Sequence, residues 1–324
     1  MVSIILVNWR GWQDTILCLQ SLMRLRGDDF RVIVCDNASG DESVPSIHAW
    51  AAGQLCAWTS TGEPARAYAI PRAPRAIELT EHVAGAPIAP TTDAKLVLLH
   101  TGANLGFAGG CNAGIRYALA RGDSDAMWLL NNDTVVDPDA LDALRAECER
   151  LGGVALVSSR VVNMSAPETP WFEGGEFRPL TGSAHHVPFV RFRASAHPYL
   201  SGCSLWIPRA VVERVGLLDE SFFMYGEDVD YSVRALALGI PLAVAEDSVV
   251  LHAEGASLGP ASPTAYRNLV ASGLRLTRRY FNRAFLVPAV AYHLAKLAYL
   301  WGVKRRSRSS LGGYWRGIVS GLRS

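Results

Sequence analysis

The sequence lacks the short signatures of several common enzyme classes. Its glycines nowhere form GxGxxG, and GxxxxGK[ST] does not occur, so a dinucleotide-binding fingerprint and a P-loop are both absent. No two cysteines are spaced as CxxC, and none stands with histidine at zinc-like spacing. Oxidoreductase and P-loop functions are therefore disfavoured, and the glycine-rich run at residues 106–114 needs another explanation.

The chain also has little net charge. Its 31 basic and 30 acidic side chains nearly cancel, and 49% of its 324 residues are hydrophobic, which is typical of a globular protein without general nucleic-acid binding. The six cysteines are scattered through apolar runs, which predicts buried thiols in a reducing compartment. The N-terminal run has no basic segment before it and predicts a strand rather than a signal peptide. We therefore expect a cytoplasmic protein.

Short β-rich runs alternate with helical patterns over the first half of the chain. This alternation predicts an α/β fold with a mainly parallel sheet covered by helices. After about residue 165 the pattern changes to loops rich in Gly, aromatic residues and His, followed by a helix that begins near Asp228. The predicted strands are residues 3–7, 31–35, 95–100, 126–130 and 154–158, and the predicted helices are residues 14–25, 109–120 and 138–151.

Two segments depart from this alternation. Residues 50–94 are rich in Ala and Pro, which predicts an irregular insertion or a surface loop. Residues 263–324 are helical and basic, and within them the apolar stretch 285–303 is about long enough to cross a bilayer.

The apolar stretch has two interpretations. His293 and Lys296 interrupt it, which favours a helix lying at a membrane surface over one that spans it. A helix packed on the rest of the protein explains the same pattern. The basic cluster that would complete a membrane anchor follows at once, as Lys304, Arg305, Arg306 and Arg308.

A polar cluster of Asn131, Asn132 and Asp133 follows the predicted strand at 126–130. Turn chemistry before Asp137-Pro138 explains these residues on its own. Open α/β sheets, however, bind ligands at the carboxyl ends of their strands. Four clusters on one edge predict a ligand-binding rim, and the other three lie at residues 7–9, 36–41 and 104–112.

Asp133 is a candidate metal ligand in this rim. Without the two glycine fingerprints, a nucleotide would be held by carboxylates and backbone, and its diphosphate charge would need neutralisation. One carboxylate suits Mg²⁺ or Mn²⁺ when the phosphates complete the coordination shell. A lone histidine such as His252, after the apolar run VVL, is usually a core or surface residue. Paired with Asp133 it is a candidate second ligand.

Glu227, Asp228 and Asp230 stand where a helix should begin. Acids at a helix N-terminus complement its dipole, which explains Asp228 and Asp230 without any catalytic role. The preceding segment FFMYG is aromatic and contains glycine. It would wall a carboxylate off from water and raise its pKa toward that of a general base.

Six motifs follow one another along the chain: VSIILVNW, DNASGD, NLGFAGGCNAG, LLNNDT, SGCSLWIPRAVVERVGLLDESFFMYGEDVDYSVR and VVLHAEGAS. In this order they closely resemble the family 2 glycosyltransferases, and among these the bacterial rhamnosyltransferase-type enzymes. The resemblance covers roughly residues 1–282. It implies the GT-A fold, a Rossmann-like sheet flanked by helices. Residues 1–262 would form the catalytic domain, with a nucleotide-binding half at 1–137, an acceptor half at 138–262 and a helical tail at 263–324.

The resemblance also implies roles for individual residues. Asn131-Asn132-Asp133 stands at the family's DxD position, with Asn in place of the first Asp, and His252 matches the late histidine ligand of the metal. Glu227-Asp228 matches the family's ED pair, in which the Asp is the base. The residues implied to bind the nucleotide sugar are Asn8, Asp36, Asn37, Asp41, Asn104, Gly106, Phe107, Asn112 and Asn132. Those implied to shape the sugar or acceptor pocket are Gly174, Gly175, Gly202 and Cys203.

The predicted function is that of an inverting glycosyltransferase. Asp228 would deprotonate an acceptor hydroxyl, which attacks the sugar as the nucleoside diphosphate leaves with Mg²⁺ or Mn²⁺. The resemblance favours a dTDP-rhamnose donor over a UDP- or GDP-sugar. The acceptor would be a glycan or lipid-linked glycan, used at the inner face of the cytoplasmic membrane by a peripherally bound enzyme. Oligomeric state stays open.

Two other functions are weighed against this one. A sugar-phosphate nucleotidyltransferase would carry a glycine-rich, basic N-terminal loop, whereas NWRGWQD has one Arg and no such loop. A non-catalytic carbohydrate-binding relative would lack Asp133 or the Glu227-Asp228 pair, and both are present.

Overall fold

A computed structural model describes residues 1–55, 76–87, 94–253 and 262–323. In these ranges ten strands form one sheet and three short strands form a second, antiparallel sheet. The strands are β1 (Val2–Asn8), β2 (Phe30–Asp36), β3 (Leu79–Val83), β4 (Leu96–His100), β5 (Ala126–Asn131), β6 (Thr134–Val136), β7 (Leu156–Asn163), β8 (Ala166–Phe172), β9 (Gly175–Arg178), β10 (Ser183–His186), β11 (Pro198–Tyr199), β12 (Ser204–Pro208) and β13 (Leu242–His252). The helices are α1 (Trp12–Leu22), α2 (Ser43–Ala51), α3 (Gly106–Arg121), α4 (Ala140–Arg150), α5 (Phe189–Ala194), α6 (Arg209–Val215), α7 (Glu227–Ala237), α8 (Pro263–Tyr280), α9 (Leu286–Gly302) and α10 (Arg308–Arg323).

The first half of the large sheet is parallel. β1 pairs with β2 on one side and β5 on the other, and β4 and β3 continue outward from β2. Asn8 of β1 pairs with Asp36 of β2, and Asn131 of β5 pairs with Val7, the residue before Asn8. The predicted mainly parallel sheet is confirmed, and its polar strand ends share one edge.

The second half of the sheet mixes strand directions. β12 is antiparallel to β5 and β7, β13 is parallel to β7, and β6 is antiparallel to β13. His252 at the end of β13 lies opposite Thr134, the residue after Asp133. The end of β13 therefore returns to the edge on which β5 ends.

The core lies along the central strands. Ile4, Leu6 and Leu129 are fully buried, and unbroken burial along a strand requires cover on both of its faces. Polar groups inside the sheet are hydrogen-bonded, as buried polar groups must be. Trp128 Nε1 donates to Ser204 Oγ at 2.9 Å, and Ser204 Oγ lies 2.7 Å from Ser159 Oγ.

Several predicted boundaries differ from the structure. The strand predicted at 154–158 is β7, which begins at Leu156, and α1 and α3 begin two or three residues before their predicted starts. The helix predicted from residue 138 begins at Ala140, because Asp137 and Pro138 form a turn. In that turn the Asp137 carboxylate accepts a hydrogen bond from Asp139 N at 2.9 Å.

The expectation of loops after about residue 165 is wrong. Strands β8 to β11 lie there, and β9, β10 and β11 form the small antiparallel sheet. These strands have two to seven residues and mostly partial exposure, so no alternation of apolar residues marks them in the sequence.

Part of the Ala- and Pro-rich segment 50–94 belongs to the sheet rather than to an irregular insertion. β3 pairs in parallel with β4 at the sheet edge. Its Glu81 carboxylate lies 2.8 Å from His48 Nε2 and 2.6 Å from His100 Nε2, which fastens the edge strand to α2 and β4. The remainder of the predicted insertion, residues 56–75 and 88–93, lies outside the described residues.

The prediction of buried thiols is confirmed for five cysteines. Burial raises the pKa of the Cys35 thiol to about 12, so this side chain behaves as a small apolar group. Cys56 lies outside the described residues. The five buried free thiols are Cys18, Cys35, Cys111, Cys148 and Cys203.

The helical tail packs on the rest of the protein through α8. Leu276 is part of the main hydrophobic core, and the ring of Phe281, which ends α8, stacks on Phe177 with centroids 5.4 Å apart. Helix α10 packs closely along α8, because Gly313, Gly317 and Gly321 let the two backbones approach. The predicted domain boundary at residue 262 therefore does not coincide with a break in packing.

Helix α9 differs from its two neighbours in exposure. The segment Arg283–Gly302 has a mean hydropathy of 1.3 and is long and apolar enough to cross a bilayer, yet only 17% of it is buried. Among the described residues no other helix meets that criterion. Ala289 and Leu300 of α9 are buried against α8 and α10, but most of its apolar side chains face solvent. Attachment of this helix to a membrane surface stays a prediction.

Adjacent glycines test the packing of α10. A Cβ on Gly313 would lie 2.2 Å from Pro263 O, whereas the nearest atom to a Cβ on Gly312 is Arg316 Nη1 at 3.6 Å. We expect Gly313→Ala to lower the free energy of unfolding by about 1–3 kcal/mol through overpacking. Gly312→Ala should raise it by about 0.5–1 kcal/mol through helix propensity. Urea denaturation measures both, and equal stabilities would contradict this helix contact.

Candidate functional site

The four polar clusters predicted from the sequence meet at one edge of the sheet, where the backbone is strained. Among the described residues, four that are not glycine have a positive φ, and three of these lie in rim loops. They are Arg10 after β1 (58°), Ala38 after β2 (53°) and Tyr225 before α7 (70°). Such conformations cost free energy and cluster at functional sites.

The end of β2 presents Asp36 through a set of hydrogen bonds. Asn8 is fully buried, and its Nδ2 donates to Asp36 Oδ1 at 2.8 Å while its Oδ1 accepts from Thr15 Oγ1 at 2.9 Å. Ser39 Oγ also donates to Asp36 Oδ1, at 2.5 Å. Asn8 thus holds the Asp36 carboxylate in place, and its predicted contact with the nucleotide stays a prediction.

The glycine-rich segment joins the rim to the acidic loop. Gly106 has φ +72°, and a Cβ there would lie 2.1 Å from Phe223 O, so the close approach requires glycine. Phe107 N donates to that carbonyl at 2.8 Å. Asn37 Nδ2 donates to Gly106 O at 2.8 Å, and Asn104 Oδ1 accepts from Gly106 N at 3.0 Å. Asn37 and Asn104 thus position this loop.

Two more predicted nucleotide-binding residues have protein partners. The buried Asn112 binds the backbone of Leu218 through both ends of its amide and donates to Glu220 Oε1 at 2.9 Å. Its side chain therefore fastens α3 to residues 218–220. The exposed Asp41 accepts from Ser43 N at 3.0 Å at the start of α2.

Asp133 and His252 are brought together as predicted. His252 Nε2 lies 3.2 Å from Asp133 Oδ1, and both side chains are buried. Beside them, Asn132 Nδ2 donates to Thr15 Oγ1 at 2.9 Å. Burial, with the negative charge of Asp133, raises the pKa of the Asp14 carboxyl on α1. This second carboxyl near Asp133 is not marked by any motif in the sequence.

The chemistry of these donors fits a divalent cation that arrives with a diphosphate. The described residues contain no cluster of three or more His, Cys, Asp or Glu side chains placed to hold a metal. One carboxylate and one imidazole are too few for a closed metal site. They suit Mg²⁺ or Mn²⁺ when phosphate and water oxygens supply the remaining ligands.

Glu227 and Asp228 begin α7 in different environments. Glu227 is 5% exposed, its Oε2 has no hydrogen-bond partner, and burial together with Asp228 raises its pKa well above the ordinary value. Burial also raises the pKa of Asp228. Its charge, however, is supported by N–H donors from Gly202 at 3.2 Å and Val229 at 2.8 Å. Of the two, Asp228 is the carboxyl whose hydrogen-bond donors favour its ionised form.

The turn Gly202-Cys203 connects the two chemical clusters. Gly202 N donates to Asp228, and Asn131 N donates to Cys203 O at 2.9 Å. A Cβ on Gly202 would lie 3.0 Å from the Phe107 ring, so this glycine permits the approach of the glycine-rich loop.

Gly174 and Gly175 also permit close packing. A Cβ on Gly174 would lie 2.4 Å from Phe192, and one on Gly175 would lie 2.2 Å from Tyr199. Both glycines were predicted to shape the sugar or acceptor pocket. The Gly174 contact brings α5 against the start of the small sheet, and the Gly175 contact lies within that sheet, between β9 and β11.

Comparison with known proteins identifies the family. A family model described as glycosyl transferase family group 2 matches residues 127–322, which is more than half of the chain. The chain belongs to the family 2 glycosyltransferases. The fold is GT-A. A mannosyltransferase from Pyrobaculum calidifontis, solved with GDP-Man and Mn²⁺, superposes with a TM-score of 0.58 at 15% identity, covering 99% of this chain and 86% of that one.

Two curated relatives resemble parts of this family 2 chain. A low-salt glycan biosynthesis hexosyltransferase of Haloferax volcanii is 29% identical over 140 residues, which cover 42% of this chain and 45% of the relative. N-acetylglucosaminyl-diphospho-decaprenol L-rhamnosyltransferase of Mycobacterium tuberculosis is 31% identical over 192 residues, which cover 52% of this chain and 62% of the relative. The match thus spans less than two thirds of either relative.

Two further side chains, Trp171 and His186, lie beside the site and were not predicted from the sequence. The ring of Trp171 lies between His252 and His186, with centroids 4.4 Å from each. His186 Nδ1 lies 2.8 Å from Trp171 O. Burial raises the pKa of Asp228, and positive charge on His186 partly opposes that rise. These aromatic residues therefore connect the Asp133–His252 pair to the candidate base. They could not be identified from the sequence, because they lie on β8 and β10, two strands that were not predicted.

Asp230 fixes α7, the helix that carries Asp228, to the tail. Its fully buried carboxylate accepts hydrogen bonds from Arg234 Nε at 2.8 Å, Arg279 Nη1 at 2.9 Å and Tyr280 Oη at 2.5 Å. Arg279 also lies 2.6 Å from Asp219. Sequence reasoning assigned Asp230 to helix capping, and the structure shows that it joins α7 to α8.

The Asp133–His252 pair can be tested by metal binding alone. We expect Mn²⁺ to bind weakly to the protein and more tightly when a nucleoside diphosphate is added, because phosphates complete the coordination. Asp133→Asn should weaken Mn²⁺ binding by at least about 10–100-fold, and His252→Gln by less. Electron paramagnetic resonance of free Mn²⁺ gives the affinity.

Asp137→Asn is the matched control for that experiment, because it removes the same charge four residues away and should leave Mn²⁺ binding unchanged. If Asp133→Asn binds Mn²⁺ like the wild type, the pair is not a metal site.

Proposed function

We propose that this chain transfers a sugar, with inversion, from a nucleoside diphosphate donor to an acceptor hydroxyl. The observation that carries the proposal is the Gly202-Cys203 turn, which hydrogen-bonds the segment bearing Asp133 on one side and Asp228 on the other. An inverting transfer needs a cation to neutralise the leaving diphosphate and a base to take the acceptor proton. The Asp133–His252 pair would hold the cation, and the partly buried Asp228 would be the base. Membership of the family 2 glycosyltransferases supports the same reaction.

The donor nucleotide would bind across the ends of β1 and β2. Asp36 is held in place by Asn8 and Ser39 and can accept hydrogen bonds from a base or ribose. Trp9 is 41% exposed on this rim, with Arg10 5.3 Å from its ring centroid, and offers an aromatic face to a base. Asp41, also implied to contact the ribose, is exposed in the next loop.

Asp133 and His252 would hold the divalent cation. When bound, Mg²⁺ or Mn²⁺ stabilises the negative charge that develops on the leaving diphosphate. The protein supplies the carboxylate and imidazole, and Trp171 packed against His252 limits the rotation of that ring.

Asp228 would take the proton of the acceptor hydroxyl. Its pKa is raised by burial, which makes the carboxylate a better base, while Gly202 N and Val229 N keep it ionised. Glu227 stays protonated beside it, because two adjacent buried carboxylates do not ionise together. Asp228 is thus the acceptor's base and Glu227 a neutral neighbour.

A dTDP-rhamnose donor is favoured by the rhamnosyltransferase among the relatives, ahead of a UDP- or GDP-sugar. A screen of dTDP-, UDP- and GDP-sugars that measures release of the nucleoside diphosphate tests both the activity and the donor. A sugar-phosphate nucleotidyltransferase would instead release pyrophosphate from a nucleoside triphosphate. That outcome would overturn the proposal.

The acceptor is proposed to be a glycan carried on a lipid, used by an enzyme bound peripherally to the inner face of the cytoplasmic membrane. The relative named for a diphospho-decaprenol acceptor supports this class of substrate. The exposed apolar surface of α9 and the basic residues after it support the location. Roles in cell-wall or polysaccharide biosynthesis follow from such an acceptor.

The base assignment separates chemistry from binding. Asp228→Asn keeps the shape of the side chain but removes the proton acceptor, so kcat should fall by at least ~10²-fold with donor affinity little changed. Glu227→Gln should cost less, since Glu227 is already neutral. An inactive Glu227→Gln with an active Asp228→Asn would reverse the assignment.

The pH profile of kcat/KM gives a second measurement of the base. Asp228 is active when ionised, so activity falls as the pH drops through its pKa. Because that pKa is raised from 3.8, the loss should begin at a higher pH than for an exposed aspartate.

Membrane attachment should depend on the basic linker, residues 303–307 between α9 and α10. Each basic residue near an anionic leaflet contributes about 1 kcal/mol, and Lys304, Arg305 and Arg306 are exposed. We expect the triple substitution K304Q/R305Q/R306Q, or high salt, to reduce co-sedimentation with phosphatidylglycerol vesicles. The control R150Q/R193Q/R209Q removes equal charge elsewhere and should still sediment. If the full-length protein does not co-sediment with these vesicles at low salt, the proposed membrane attachment is contradicted.

A further inference from the structure

Charge is divided unevenly along the chain. Residues 263–324 contain twelve Lys and Arg and no Asp or Glu, which leaves nineteen basic against thirty acidic side chains in residues 1–262. Residues 1–262, the body, therefore have a net charge of −11, and residues 263–324, the tail, have a net charge of +12, so the total is near zero. The tail attracts anions that the body repels.

An apolar cleft opens between α9 and α10. It has a volume of about 480 Å³ and is lined by Leu294, Leu297, Trp301, Leu311 and Trp315, with Ala298 and Gly312 completing it. Trp301 is 70% exposed and Trp315 50% exposed, although tryptophan is usually well buried. The volume falls within the range of small-molecule sites, about 300–1,000 Å³.

The walls of this cleft are fixed. Leu300, Tyr314 and Ile318 on α9 and α10 are buried together with Val270 and Leu274 of α8. Tyr314 Oη lies 2.7 Å from His293 Nδ1, which joins the two walls directly. The cleft is therefore preformed, unlike the face of a tail helix that folds only on contact with a membrane.

The basic linker lies at one end of the cleft. Residues 303–307 connect α9 to α10, and Lys304, Arg305 and Arg306 are exposed there with no acidic residue in the tail to neutralise them. An open apolar cleft beside a cationic loop complements a molecule with a hydrocarbon chain and a phosphate head.

We propose that the cleft between α9 and α10 binds the hydrocarbon chain of one anionic lipid, whose phosphate contacts the basic linker. The lipid is assigned as the carrier of the acceptor, and this assignment rests on the proposed function. The tail packs one short strand away from the candidate site, because Gly273 of α8 contacts Gly182, which precedes β10. Four residues of β10, about 13 Å, then lead to His186 near Asp228.

Titration of the full chain with farnesyl phosphate, below its micelle-forming concentration and without donor sugar, tests the site. We expect saturable binding of one molecule by calorimetry. Ala298→Phe fills the cleft from an exposed position and should weaken binding at least about tenfold, as should Trp301→Ala. Val287→Gln removes a side chain that is 75% exposed on α9 outside the cleft, and should change the affinity less than about twofold.

Three results would overturn the proposal. The first is failure of farnesyl phosphate to saturate one site. The second is equally tight binding of inorganic phosphate alone, which would leave only a basic loop. A dimer seen by sedimentation and abolished by Ala298→Phe would assign the cleft to a second copy of the chain. Absence of nucleoside diphosphate release with every donor sugar would instead contradict the proposed function, because the lipid titration requires no turnover.

Discussion

The hydrogen bond from Gly202 N to Asp228 joins two clusters that arise far apart in the sequence. On its other side the same turn accepts the Asn131 N–H through Cys203 O, so the segment that ends in Asp133 and the helix that begins at Glu227 share one support. Phe107 packs against Gly202 and donates its N–H to Phe223 O, which adds the glycine-rich loop to this support. A shift of the turn would therefore move Asp133, Asp228 and the glycine-rich loop together.

The tail takes part in the same support from the opposite side of α7. Asp230 is fully buried, and the helix that carries Asp228 stays in place because Arg234 and two α8 residues, Arg279 and Tyr280, surround that carboxylate. A buried charge held by several donors is stable only while all of them remain. The packing of α8, and of α10 upon it, thus contributes to the geometry at Asp228, so the tail cannot be treated as a separate attachment device.

The sequence predicted those features that follow from local patterns. Parallel strands that end in polar residues must align those ends, so Asp36 and Asp133 could be placed on one edge, and His252 could be paired with Asp133. The hydrogen bonds that Asn8 and Asn112 make within the protein could not be predicted, because their partners are 28 and 106 residues away along the chain. Trp171 and His186 were not predicted, because the short strands that carry them were not. The packing of α10 could not be predicted either, because the role of its glycines depends on their contacts with α8.

Electrostatics links the two proposed binding sites. The rim gathers Asp14, Asp36, Asp133 and Asp228 on a body that is itself negative, so a diphosphate could approach only with a cation to neutralise it. The tail has the opposite charge and can hold a phosphate directly. The donor and a lipid-linked acceptor both carry phosphates, and they would bind at different sites because the phosphate charge is neutralised differently at each. The cation-accompanied diphosphate would bind at Asp133 and His252, and the lipid phosphate would bind at the linker after α9.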